Sequence, residues 1–108
     1  MDNRVRTTER EAHMRENELE RILYKTVKAM GGIAPKFVSP GLDGMPDRIV
    51  LLSDGKIGFV EVKRYGKKPQ PLQKSRHGLL RRLGFKVYLL DEAGQINEIL
   101  SEIGGDAE

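Results

Sequence analysis

The sequence predicts an α/β domain in which helices flank a mixed β-sheet, in the order α-β-β-β-α-β with a trailing helix. Three observations predict it: an apolar stripe at helical spacing over 15–30, two apolar runs joined by a tight "SDG" turn, and a helical segment between the second of these runs and a further strand-like run. A tight turn joins antiparallel strands, whereas a strand-helix-strand crossover favours a parallel pair. The sheet is therefore expected to be mixed.

Length and composition restrict the class of protein further. The 108 residues suit one compact domain, and 38% hydrophobic with 32% charged residues is typical of a globular chain rather than a disordered one. The absence of cysteine excludes a disulfide framework and a thiolate zinc site. With no apolar run of about 18 residues and no signal-peptide core, we expect a cytoplasmic protein with no membrane partner.

The N-terminal third begins with a polar arm and continues into a helix. Residues 1–13 are charged and have no apolar period, so we expect a flexible arm ahead of a single domain over 14–108. The segment 15–30 places its apolar residues on one helical stripe, and Gly31-Gly32 ends the helix. The residues of this stripe are Leu19, Ile22, Leu23, Val27 and Met30.

The rest of the chain alternates between strand and helix patterns. "APKFVS" predicts a short first strand, and "DRIVLL" and "KIGFVEVK" predict the two strands of a hairpin. After the basic loop "RYGKKPQP", a helix over 71–83 starts at a proline and ends before Gly84. "FKVYLL" predicts a fourth strand and "GQINEILSEI" a final helix. Its apolar residues point inward or contact a second subunit: Ile96, Ile99, Leu100 and Ile103.

Three charged residues stand in or beside the hairpin, although strand interiors seldom contain charges: Asp47, Glu61 and Lys63. Because side chains alternate along a strand, Glu61 and Lys63 project to one face and Val60 and Val62 to the other. Asp47 begins the partner strand and can lie beside them. Two close carboxylates repel unless a cation lies between them, and Mg²⁺ prefers such oxygens, with the Val62 carbonyl as a further ligand. The alternative is an amphipathic hairpin whose charges face water.

The first helix offers a third carboxylate. At about 100° per residue, Glu16 falls inside the apolar arc, Glu20 falls at its edge and Glu18 lies on the far side. A glutamate on the core-facing stripe suggests a place in the metal site. The alternative for Glu16 is an N-terminal glutamate favoured by the helix dipole.

Positive charge is concentrated in one segment. No acidic residue occurs between Val62 and Leu90, which predicts contact with a polyanion such as nucleic acid or, alternatively, a solvated basic face. The basic residues of this segment are Lys63, Arg64, Lys67, Lys68, Lys74, Arg76, Arg81, Arg82 and Lys86.

Two polar residues follow in the second helix. Gln73, in its first turn, is either solvated or holds Lys63, a metal-bound water or a phosphate. His77, one turn further on, is structural or contacts nucleic acid, since no residue in the chain completes a catalytic triad with it.

At this point the motifs resemble a known family. Pro46-Asp47 followed across a hairpin by Glu61-Val62-Lys63 resembles the PD-(D/E)XK nuclease superfamily, whose restriction-endonuclease-like core has a similar αβββαβ order. With "ENELER" opening the first helix, "MGG" ending it, "KFVSPGLDGMPDRIVL" and "GKKPQPLQ", the chain resembles the VRR-NUC family, the virus-type replication-repair nucleases. The resemblance covers about residues 14–91.

The resemblance implies a Mg²⁺-dependent endonuclease that cuts DNA phosphodiester bonds, with Mn²⁺ able to substitute. Asp47 and Glu61 would bind the metal, and Lys63 would position or activate the attacking water. Glu16 would complete the site, often through water, and Gln73 matches the family's glutamine after the basic loop. Glu20 competes with Glu16, because related junction-resolving nucleases place a glutamate nearer the helix end.

The resemblance also implies a substrate and an assembly. Stand-alone members of this size resemble Holliday junction resolvases, so we expect branched or junction DNA as substrate, a homodimer, and a bacterial or phage-infected cell as the setting. A non-cleaving DNA-binding module of the same fold, within a larger replication-repair assembly, is the alternative. The residues expected to contact DNA are Arg64, Lys67, Lys68, Lys74, Arg76 and His77.

Overall fold

The computed structural model describes residues 14–105, and the predicted arm over 1–13 lies outside the described residues. Within this range the chain forms three α-helices and one three-stranded sheet, none of the helices being long and apolar enough to cross a membrane. The elements are α1 (Glu16–Ala29), β1 (Arg48–Leu52), β2 (Lys56–Val62), α2 (Pro71–Arg82), β3 (Lys86–Leu90) and α3 (Ile96–Ile103).

The central strand of the sheet is β2. It pairs antiparallel with β1, from Arg48 opposite Val60 to Leu52 opposite Lys56, and parallel with β3, from Gly58 beside Lys86 to Val62 beside Leu90. The mixed sheet predicted from the tight turn and the crossover helix is confirmed. Because β2 is covered by a strand on each side, the residues at its carboxyl end are held from both directions.

The first predicted strand, "APKFVS", is wrong as a regular strand. Residues 33–37 run antiparallel beside β1 but form only isolated bridges, Ile33 with Leu51 and Lys36 with Arg48. Ile33 and Leu51 exchange both backbone hydrogen bonds, at 3.0 and 2.9 Å, whereas Ile49 N donates to Pro35 O with no bond in return. The reason is Pro35, which has no N–H to donate and so interrupts the ladder.

The two faces of the sheet are covered by different helices. On one face, α1 and α3 pack on Val60, Val62 and Leu90 in a core cluster that includes Leu19 and Leu23. On the other face, α2 packs through a second cluster of Phe59, Leu80 and Val87. Strand alternation therefore puts Phe59 and Glu61 on the α2 side and Val60 and Val62 on the α1 side.

Two helix predictions change in detail. Met30 was placed on the apolar stripe of α1, but the helix ends at Ala29 and the Met30 side chain is 47% exposed. The four apolar residues of α3 are 1–6% exposed within one chain. They belong to the core, so the suggestion that they contact a second subunit is wrong for this fold.

A close contact between β2 and α3 generates a first prediction. A Cβ added at Gly58 would lie 2.5 Å from Ile103 Cδ1 and 2.6 Å from Ile103 Cγ1, so Gly58→Ala overpacks this contact. We expect a loss of about 1–3 kcal/mol in the free energy of unfolding, measured by urea denaturation.

The matched control is Gly94→Ala, whose added Cβ would meet no heavy atom within 4 Å. In the double variant Gly58→Ala/Ile103→Ala, the smaller side chain makes room for the new methyl group. The double variant should therefore lose less free energy of unfolding than the two single variants lose together. Strict additivity would contradict the proposed contact.

Candidate active site

The site lies where β1 and β2 open at one end of the sheet. The register pairs Arg48 with Val60, so its extension by one residue places Asp47 opposite Glu61. Asp47 and Glu61 form a non-hydrogen-bonded pair, because the backbone hydrogen bonds between β1 and β2 are made by the even-numbered residues of the two strands. Side chains at such positions approach most closely, and like charges there repel. The fold thus brings two carboxylates together where repulsion is strongest.

Pro46 ends the ladder and leaves the Val62 peptide to other partners. By the same register Pro46 would face Val62 in a hydrogen-bonded pair, but proline has no N–H to donate to the Val62 carbonyl. The Val62 N–H instead donates to Asp47 Oδ2 at 3.0 Å. One hydrogen bond therefore fixes the Asp47 carboxylate against the end of β2.

Glu61 is buried, with 1% of its surface exposed. Its Oε2 accepts a hydrogen bond from Gln73 Nε2 at 2.9 Å and lies 3.5 Å from Lys63 Nζ. Glu61 and Lys63 share a face, as alternation predicts. The interpretation of the hairpin as amphipathic with solvated charges is therefore wrong for Glu61.

Burial and charge both disfavour ionised carboxylates here. Burial first, and then the charge of Asp47, raise the pKa of Glu61 to about 7, although Lys63 acts in the opposite direction. Burial likewise raises the pKa of Asp47, and the charges of Glu20 and Glu16 raise it further. The hydrogen bond from the Val62 N–H acts in the opposite direction and lowers this pKa. A cation between the two carboxylates would remove this penalty.

The two first-helix glutamates do not join the pair directly. Glu16 Oε2 accepts a 3.3 Å hydrogen bond from Arg64 N, just beyond Lys63. Glu20 Oε1 lies 2.9 Å from Arg48 Nη2 and 3.0 Å from Arg48 Nε, in an ion pair that the sequence reasoning missed. Both glutamates stand on α1, which packs on the face of the sheet opposite to Glu61.

The donor set suits a hard cation that keeps several waters. Within residues 14–105, no group of three or more histidine, aspartate or glutamate side chains is close enough to hold a metal ion. Asp47, Glu61 and the Val62 carbonyl provide two carboxylates and one backbone oxygen, and Mg²⁺ is commonly held by one or two carboxylates plus water. The residues fit such an ion, with Glu16 able to act only through water or after a movement.

Gln73 lies in the first turn of α2 and has a narrower role than the sequence suggested. Its Nε2 donates to Glu61 Oε2, and its Oε1 accepts the backbone N–H of Gln70 at 2.8 Å. It therefore holds Glu61 rather than Lys63. Because Gln73 also caps its own helix, the start of α2 and the carboxylate are fixed together.

Seven of the nine basic residues of the segment 63–86 form two groups. Arg64, Lys67, Lys68 and Lys74 are exposed around the loop that precedes α2. Three others bind backbone carbonyls: Arg76 Nε that of Asp43 at 2.8 Å, Arg81 Nη2 that of Val87 at 3.0 Å and Lys86 Nζ that of Glu102 at 2.6 Å. Three of the nine basic side chains are therefore engaged with the backbone of other segments.

The prediction that His77 contacts DNA is wrong for this conformation. Its side chain is 4% exposed and lies on the buried side of α2, where Nε2 is 3.6 Å from Glu61 Oε1. Burial, and then the positive charges of Arg81 and Lys63, lower the pKa of His77. The imidazole is thus buried next to Glu61 in surroundings that favour its neutral form.

Asp91 is a further residue that sequence reasoning missed. Its Oδ2 accepts the backbone N–H of Gly66 at 3.1 Å, and its Oδ1 accepts Gln95 Nε2 at 2.9 Å. The basic loop is therefore tied to the end of β3. The available signal was position, since the carboxyl ends of parallel β2 and β3 lie at one edge and Asp91 directly follows β3.

Comparisons with known proteins identify two similar chains. No protein-family model matches the chain. The chain is 51% identical over 78 residues, 72% of its length and 84% of the relative, to "Putative nuclease p44" of Acyrthosiphon pisum secondary endosymbiont phage 1. A solved structure described as a VRR_NUC domain superposes with a TM-score of 0.75 at 31% identity, over 80% of this chain and 94% of the other.

The burial of Glu61 predicts a pH-dependent stability in protein freed of metal by a chelator. The folded-state pKa of Glu61 is about 7, whereas the ordinary pKa of a glutamate side chain is 4.5. The folded state therefore binds the proton more tightly than the unfolded state, and stability falls as pH rises between these values. Glu61→Gln should therefore be more stable than the native chain by about 1–3 kcal/mol at pH 8, and the difference should vanish near pH 4.5.

Urea denaturation across this pH range measures the difference. Glu98→Gln, at an exposed position on α3, is the control and should change little with pH. A Glu61→Gln variant that is less stable than the native chain at pH 8 would contradict the argument.

Proposed function

The chain belongs to the VRR-NUC family of nucleases, and on that premise we propose that it is a metal-dependent DNA endonuclease. It would hydrolyse phosphodiester bonds with Mg²⁺, for which Mn²⁺ can substitute. One observation carries the proposal. Two buried or half-buried carboxylates, Asp47 and Glu61, meet at the open end of the sheet with Lys63 Nζ 3.5 Å from one of them. Such a cluster is unfavourable without a cation and well suited to one.

The residues around Asp47 and Glu61 would have different roles in the reaction. Phosphodiester hydrolysis needs a nucleophilic water and neutralisation of the charge that develops on the phosphate, and a bound Mg²⁺ polarises the phosphate and acidifies water. Asp47, Glu61 and the Val62 carbonyl would hold the ion. Gln73 keeps Glu61 oriented through the 2.9 Å hydrogen bond to Oε2.

Lys63 places a positive charge next to these oxygens. Its side chain is 14% exposed, so the ammonium group is shielded from bulk water yet borders the site. A charge in such a place is screened less than one on the surface. We assign Lys63 to positioning or activating the attacking water beside the scissile phosphate. Glu16, hydrogen-bonded to the backbone of Arg64, would act through water, and it is favoured over Glu20 because Glu20 is paired with Arg48.

The exposed basic residues at the loop before α2 would bind the DNA backbone. Lys67 N donates to Arg64 O at 2.9 Å in a turn, and Asp91 holds Gly66 from the other side. The loop therefore presents its charges from a fixed position close to Lys63. Phosphate contacts of this kind position a nucleic acid without reading its sequence.

We also propose branched or junction DNA as the substrate and a homodimer as the active form. Two copies related by a two-fold axis would present two sites to two strands. The similarity to a phage protein supports a bacterial or phage-infected cell as the setting.

Removal of the metal-binding carboxylate or the lysine should abolish cleavage. We expect Asp47→Asn and Lys63→Ala each to lower the rate on four-way-junction DNA with Mg²⁺ by about 100-fold or more, because each removes a group that acts on the metal or the water. Gel analysis of end-labelled junction, flap, duplex and supercoiled DNA measures both rate and substrate preference.

Matched controls are Asp43→Asn, since the exposed Asp43 is bound through its carbonyl, and Lys56→Ala at the far end of β2. Both should cut at the native rate, and a chelator should stop all cutting. Undiminished cleavage by folded Asp47→Asn would overturn the assignment. Metal-independent DNA binding without cutting would favour the non-cleaving module.

Light scattering tests the proposed homodimer, and a monomer that resolves junctions would refute that part of the proposal.

The loop charges should determine affinity and its salt dependence. We expect Lys67→Ala/Lys68→Ala to weaken junction binding and to reduce the slope of log affinity against log salt by roughly one per lost phosphate contact. Fluorescence anisotropy in Ca²⁺ at several salt concentrations measures both quantities. The control, Lys25→Ala/Lys28→Ala, removes two exposed charges of α1 and should leave the slope unchanged. Equal effects of the two double variants would show that only net charge matters.

A further inference from the structure

Two buried polar atoms in the described part of the chain have no hydrogen-bond partner, and they face each other. They are Glu61 Oε1 and His77 Nε2, 3.6 Å apart. Both side chains are almost fully buried, Glu61 being 1% and His77 4% exposed. Buried polar atoms are nearly always paired, so this exception calls for an explanation.

The separation limits what can lie between the two atoms. The 3.6 Å distance is only about half an ångström longer than an ordinary N–H···O hydrogen bond. A small approach of the two side chains therefore gives a direct hydrogen bond, without a third group between them.

We propose that His77 is a positioning residue for the metal-binding carboxylate, with Nε2–H donating to Glu61 Oε1 when the metal is bound. The inference rests on the proposed function. Gln73 and His77 stand four residues apart on α2, so they lie above one another on the same helix face. Gln73 already holds Oε2. His77 then holds the other oxygen, and one helix fixes both oxygens of the carboxylate and hence its plane.

A buried carboxylate held through a single oxygen can still rotate, whereas one held through both cannot. Hydrogen bonds that orient metal ligands typically change metal affinity 10- to 100-fold when removed. His77 does not touch the metal or the substrate in this arrangement. Its effect is expected mainly on the metal concentration that the enzyme needs.

The test compares His77→Met with His77→Gln. The two new side chains have similar length, but only glutamine carries a donor where Nε2 stood. Calorimetric titration of Mn²⁺ into the protein without DNA measures metal affinity directly. We expect about a 10-fold or greater rise in the Mn²⁺ dissociation constant for His77→Met, and a value within about 3-fold of the native one for His77→Gln. The Mg²⁺ concentration for half-maximal cleavage should follow the same order.

Leu80→Ala is the matched structural control, because Leu80 is buried on the same helix in the Phe59 and Val87 cluster. It should lower stability without changing Mn²⁺ affinity. A native chain that binds no Mn²⁺ would defeat the proposed function itself. If the native protein and His77→Met have the same Mn²⁺ dissociation constant, only the role of His77 is refuted. If His77→Gln binds Mn²⁺ as weakly as His77→Met, the proposed hydrogen bond is refuted.

A second measurement needs no folded variant of His77. In ¹⁵N-labelled native protein, Mg²⁺ should leave the buried imidazole in the tautomer that carries its proton on Nε2. The chain contains only two histidines, so the signals are readily assigned. A proton on Nδ1 alone in the Mg²⁺-loaded protein would overturn the proposal.

Discussion

The repulsion between two carboxylates is the constraint on which the rest of this structure depends. Asp47 and Glu61 face each other across the end of the β1–β2 ladder, and the burial of Glu61 intensifies their interaction. Each neighbouring group limits the cost in a different way: Val62 N donates to Asp47, and Lys63 and Gln73 both approach Glu61. The site is a strained element that its surroundings hold in place, which is typical of regions kept for function rather than stability.

Two prolines shape the edge of the sheet around this pair. Pro35 removes one donor from the segment beside β1, and Pro46 removes one from the ladder between β1 and β2. The first loss leaves residues 33–37 as an incomplete edge strand. The second releases the Val62 peptide, whose N–H donates to the Asp47 side chain. The position of the site thus follows from where hydrogen-bond donors are missing.

Much of this arrangement could be predicted from the sequence because it follows from periodicity. Alternation placed Glu61 with Lys63, and helical spacing placed Leu19, Leu23 and the apolar residues of α3 in the core. Some errors were local, at the end of α1 and at Pro35, and the others concern pairings between distant segments. Residue spacing could not show that Glu20 is paired with Arg48, or that the buried His77 side chain lies next to Glu61. Those contacts depend on how α1 and α2 are docked, which no local pattern encodes.

The link between Asp91 and Gly66 connects two parts of the chain that are remote in function. Asp91 also exchanges hydrogen bonds with Gln95, whose side chain accepts the Asp91 N–H at 2.9 Å directly before α3 begins. A single side chain therefore couples the position of the basic loop to the start of the C-terminal helix. Loss of this carboxylate would release both ends of the connection at once, whereas the pairing of β1 with β2 does not depend on it.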